Sequence, residues 1–100
     1  MGIEFRAFRG TRRSSVYQAH AVGDEAFARI RAAAGPHHLR LLRSLEPGEL
    51  DKREARQLAD ELGSLRRSLE LPDLDGDLTA LAEVARWCSR APGDAWLRVE

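Results

Sequence analysis

Apolar side chains recur at every second position at both ends of this chain and at every third or fourth position between them. That switch of period limits the fold more than any other feature. Period two belongs to a strand with one buried face, and a period near 3.6 to a helix with one buried stripe. Over residues 2–9, Ile3, Phe5 and Ala7 fall on one side and Glu4, Arg6 and Phe8 on the other. Over residues 95–100, Leu97 and Val99 share one side. Residues Val16 to Val22 can return as a second strand after the polar turn Arg9 to Ser15, although three alanines blur the alternation. The expected class is α+β: a small antiparallel sheet including both chain termini, covered on one face by three to four helices. One hundred residues are expected to make a single domain, 1–100.

The strongest helical signal starts at Asp51-Lys52-Arg53-Glu54, which has the spacing of a capping box with Asp in place of Ser or Thr. Ala55, Leu58, Leu62, Leu65 and Leu69 follow at steps of three and four, one apolar face wide. Leu71-Pro72 stops the helix, because proline disfavours helical backbone in the residue before it. Asp24 reads as the N-cap of a helix over about 25–34, ended by Gly35-Pro36, and a last helix spans about 77–91. His37 to Leu45 admits a helix, through Leu39, Leu42 and Leu45, or a short strand; the spacing of three favours helix.

Composition excludes several classes. A chain 43% hydrophobic and 32% charged is that of a globular protein, and its apolar runs are far shorter than the roughly 20 residues needed to span a bilayer. One cysteine rules out an internal disulfide and, with no apolar leader at the N-terminus, leads to the expectation of a cytoplasmic protein without membrane contact. Serines lack a nucleophile elbow and no glycine-rich phosphate loop is present. Cys88 lies on an apolar helix face, where burial suppresses thiolate formation. His20, His37, His38 and Cys88 have no metal-ligand spacing. Asp73-x-Asp75-x-Asp77 copies the start of an EF-hand loop, but Leu78 stands where glycine is required and Val84 where a bidentate acid is required. These aspartates read instead as capping and helix-dipole charge. No catalytic residue, metal or cofactor is expected, and the balance leans away from an enzyme.

Charge carries the functional expectation. The chain is neutral, with 16 basic and 16 acidic residues, but residues 1–43 hold 8 arginines against 3 acids while residues 44–100 hold 8 bases against 13 acids. Glu70, Asp73, Asp75, Asp77 and Glu83 occupy a stretch free of bases, and Glu46, Glu49 and Glu54 surround the start of the long helix. Together they are candidates for a docking face toward a basic protein partner, where complementary charge speeds and orders association. Arg6, Arg9, Arg12 and Arg13 are the alternative site, for an anionic small molecule held by a binder or a small enzyme. A nucleic acid is disfavoured, because it would meet an overall neutral protein whose other half repels it.

The segment His37 to Leu62, HHLRLLRSLEPGELDKREARQLADEL, resembles part of small uncharacterised proteins of high-GC bacteria, some of immunity type. It covers about a quarter of the chain and contains no functional motif. The resemblance implies a class, an immunity or adaptor protein that works by docking on a partner, and transfers no site residue.

Overall fold

The computed structural model describes residues 2–9 and 16–100, the side chains of residues 16 and 17 excepted. β1 (Ile3–Arg9) and β2 (Val16–Val22) form an antiparallel hairpin, with Ile3 opposite Val22, Phe5 opposite His20 and a bulge between Ala7 and Phe8. β4 (Ala95–Val99) lies antiparallel on the other side of β1, setting Phe5 opposite Val99 and Ala7 opposite Leu97. The two ends of the chain therefore pair directly, as the period of two predicts. β3 (Gly48–Leu50) completes the four-stranded sheet, order β2-β1-β4-β3, by pairing with β4.

Between the strands run α1 (Asp24–Ala34), the single turn α2 (Arg40–Arg43), α3 (Lys52–Arg67), a 3-10 turn (Pro72–Leu74) and α4 (Asp75–Arg90). Their apolar stripes converge on one face of the sheet. Phe5, Ile30, Leu42, Leu58, Leu62, Leu65, Leu78, Leu81, Cys88, Leu97 and Val99 are all fully buried within one continuous core. The other sheet face carries Glu4, Arg6 and Arg98, with Phe8 stacked on Trp96 at 5.6 Å between ring centroids. No helix among the described residues is long and apolar enough to cross a membrane.

The capping box forms as expected: the Asp51 carboxylate accepts from the Glu54 N–H at 2.8 Å, and the Glu54 carboxylate from the Asp51 N–H at 3.3 Å. Four expectations need correction. Asp24 is the first helical residue and Gly23 the N-cap. The last helix begins at Asp75, two residues earlier than its spacing suggests, because the 3-10 turn leads straight into it. Leu69 leaves the apolar stripe: α3 ends at Arg67, Leu69 takes a left-handed φ of 60°, and its side chain is 74% exposed. Finally, His37 to Leu45 is helical only at Arg40–Arg43. His38 turns the chain with φ 58°, and the Leu39 N–H closes back on the Ala34 carbonyl at 3.0 Å, so α1 cannot run on.

The short α2 persists because another element caps it. The Glu61 carboxylate, only 8% exposed on α3, accepts from the N–H groups of Leu41 at 3.4 Å and Leu42 at 2.8 Å, and from Gln57 Nε2 at 2.9 Å. A carboxylate at the free N–H groups of a helix start is well placed electrostatically. Lys52 does the converse, donating from Nζ to the Ala91 carbonyl at the end of α4.

Candidate functional site

Four of the five acids of this stretch are matched by bases from elsewhere in the chain. Asp73, beside the start of α4, accepts two hydrogen bonds from the Arg29 guanidinium of α1, at 2.5 and 2.9 Å. That hydrogen-bonded guanidinium holds the Asp73 carboxyl below its ordinary range. Asp75 takes Arg66 of α3 at 2.7 Å, Asp77 takes His20 of β2 at 2.9 Å, and Glu70 takes His37 at 2.7 Å. Three of these four bases come from the positively charged first half of the chain. The charge asymmetry along the sequence is thus complementarity between parts of one fold. The three aspartates each turn to a different base, so they do not converge, and among the described residues no three His, Cys, Asp or Glu side chains come together.

Glu46, Glu49 and Glu54 lie apart from this group. Glu46 and Glu49 are exposed before and on β3, Glu49 paired in register with Arg98, and the Glu54 carboxylate is engaged in its cap. They sit at the start of α3, whereas Glu70 and Asp73 follow its end; a 16-residue helix separates the two groups by about 24 Å. Glu83 lies two turns into α4; it borders the depression that holds Asp75 and Arg66 and also lines a second surface, beside Arg86 and Arg90.

The arginine candidates are also divided. Arg6 and Arg9 differ in parity from strand partners on opposite faces: Arg6 lies on the helix-free face, bonded to Glu4 at 2.5 Å and 3.7 Å from Glu100. Arg9 lies on the helix-covered face. Arg12 and Arg13 lie outside the described residues.

Arg9 opens onto a groove of about 510 Å³ between the end of β1 and α4. Its lining combines Glu83, Arg86, Trp87 and Arg90 of α4 with Gln18 of β2 and with Ala91 and Pro92. Arg86 and Arg90 are four residues apart, hence stacked on one helix face. None of Arg9, Arg86 and Arg90 has a carboxylate within ion-pair distance among the described residues. The lining therefore brings together three guanidiniums, one carboxylate, Glu83, and an indole. Arg86 also borders two smaller depressions, of about 390 Å³ with Arg66 and Arg67 and about 290 Å³ with Arg56 and Asp60.

Arg86, Arg90, Trp87 and Gln18 are not among the residues that the sequence singles out. The i, i+4 arginine pair astride a tryptophan is a readable signal on α4, but Arg9 joins it only through the tertiary fold. Cys88, next to Trp87, faces the core rather than the groove; burial pushes its thiol up to about 11, so no thiolate nucleophile is offered. Compared with known proteins, the chain matches no family model, no curated protein and no solved structure.

Proposed function

We propose that this protein is a binding module that captures an anionic group in the groove between β1 and α4. The observation that carries this reading is the set of guanidiniums on Arg9, Arg86 and Arg90 with no carboxylate partner among the described residues, in a fold where the acids from Glu70 to Asp77 are all engaged. Guanidinium forks bind carboxylate or phosphate oxygens bidentately, and the faces of Trp87 and Pro92 suit an apolar or aromatic body attached to the anion. Glu83 in the same lining disfavours a second negative charge on the ligand. Titration with phenyl phosphate and with benzoate, followed by tryptophan fluorescence and calorimetry, tests this. Saturable, salt-sensitive binding is expected, with Arg86→Ala and Arg90→Ala each weakening it by about tenfold, since hydrogen bonds to charged groups contribute about 1.5–3 kcal/mol. Wild-type protein that gives no saturable signal with either probe overturns the reading.

A second reading, an immunity- or adaptor-type protein docking a basic partner through its acids, is supported by Glu46 and Glu49, exposed together at the entry to α3. A partner reaching Glu70, Asp73, Asp75 and Asp77 would exchange their internal ion pairs for intermolecular ones, a small cost because exposed pairs contribute little. Glu46→Lys with Glu49→Lys would then slow association with a basic partner isolated from the native host. Unchanged kinetics would discard this alternative.

A further inference from the structure

The two edges of the sheet differ in a way that points to a second copy of this chain. β3, at one edge, is three residues long, contains Gly48 and bears Glu49, features that discourage further strand pairing. β2, at the other edge, is seven residues long and has no Asp, Glu, Lys or Arg and no proline, in a chain where those four charged types make up 32% of residues.

The hydrogen-bond parity shows which groups that edge presents. Glu4 exchanges both of its backbone hydrogen bonds with Glu100, at 2.8 and 2.9 Å, so even-numbered residues of β1 bond toward β4 and odd-numbered ones toward β2. Ile3, Phe5 and Ala7 stand opposite Val22, His20 and Gln18, which therefore bond inward. Ala19 and Ala21 then direct their N–H and C=O groups away from the sheet. Both are exposed, and among the described residues neither has a backbone partner outside the hairpin. Their methyl side chains lie on the helix-free face and leave the approach to the backbone open. The bulge between Ala7 and Phe8 bends only the far end, leaving Gln18 to Val22 regular.

We propose that β2 pairs with β2 of a second copy, antiparallel about a two-fold axis near the middle of Gln18–Val22. This joins two sheets into one of twice the width through about four backbone hydrogen bonds. A second copy suits this edge better than a foreign strand, because antiparallel self-pairing is symmetric and a strand without Asp, Glu, Lys or Arg sets no fixed like charges against itself. Gln18, at one end of the paired segment, also lines the arginine groove, whereas Ala19 and Ala21, which carry the proposed pairing, do not.

Sedimentation velocity of the full chain over a concentration series provides the test. Growth of a species of twice 11.2 kDa with concentration is expected. The double variant Ala19→Lys/Ala21→Lys should be monomeric, as should Ala19→Glu/Ala21→Glu, and an equimolar mixture of the two should regain the dimer, whichever of these positions face each other across the axis. Amide hydrogen exchange of the wild type keeps the test independent of variant folding: the Ala19 and Ala21 amides should gain protection as concentration rises, while that of His20 stays protected throughout. A wild type that is monomeric at every concentration, a dimer indifferent to both double variants, a mixture that stays monomeric, or Ala19 and Ala21 exchange rates independent of concentration would each overturn the proposal.

Discussion

Glu61, buried on α3, is a residue on which a whole turn of structure depends. Its carboxylate serves two backbone N–H groups at the start of α2 and the Gln57 amide, so removing it leaves the buried Leu42 N–H without this acceptor. Glu61→Ala is expected to cost about 1–3 kcal/mol in urea melts, and Glu61→Gln, which keeps an acceptor oxygen, distinctly less. Cys88 presents the opposite case, a titratable group kept neutral by burial. With the folded thiol near 11 and its ordinary value at 9.0, the native state holds more protons than the unfolded chain between those two values. Its contribution to stability is therefore complete below pH 9.0 and lost as pH rises toward about 11. Alkylation at pH 8 should accordingly be slow in the native protein and fast in denaturant. A native rate equal to the denatured one would contradict its place in the core.

At the level of elements, β4 is more than a terminal strand. It separates β1 from β3, and Leu97 and Val99 contribute fully buried side chains to the core. Deleting residues 95–100 should release β3, expose the β1 edge and uncover the Phe5 side of the sheet, giving aggregation. Size-exclusion chromatography and circular dichroism check this, and a soluble deletion variant with a cooperative melt would count against the pairing. Much of this level is legible in the sequence, since Ile3/Phe5 and Leu97/Val99 alternate and Ala55 to Leu65 keep a helical stripe. β3 is not, because three residues are too few to show a period and its pairing is set by β4. The fate of Leu69 is not legible either: its spacing continues the stripe, while the left-handed backbone at the helix end turns it to solvent.

Across the whole molecule, the two oppositely charged halves of the chain fold against each other. Arg29, His20 and His37 from the first half meet Asp73, Asp77 and Glu70 from the second. Reversing Glu70, Asp73 and Asp77 to Lys should therefore set a like charge against Arg29, take away the hydrogen-bond partners of His37 and His20, and lower the melting midpoint. The drop should be larger in low salt than in high, because exposed charges are screened beyond about 10 Å at 0.1 M salt. A midpoint unchanged at low salt would show that these pairs contribute nothing to holding α1, β2 and the α4 entry together. The same reversal leaves Arg9, Arg86 and Arg90 untouched, so binding in the groove should persist in the variant.

The residue order alone determines the class of the fold, the facing of the terminal strands and the position of the long capped helix. Those features depend on local periodicity, which a chain displays wherever one side of an element is buried. Tertiary structure decides what the charged residues do. Whether an acid is available to a partner depends on a base that lies 57 positions away for Asp77 and 44 for Asp73. Likewise, Arg9 and the Arg86/Arg90 pair are far apart along the chain and become one groove only because β1 and α4 pack together. Charge interacts through space with little regard for sequence separation, so its pairing is settled only after the apolar periods have placed the elements.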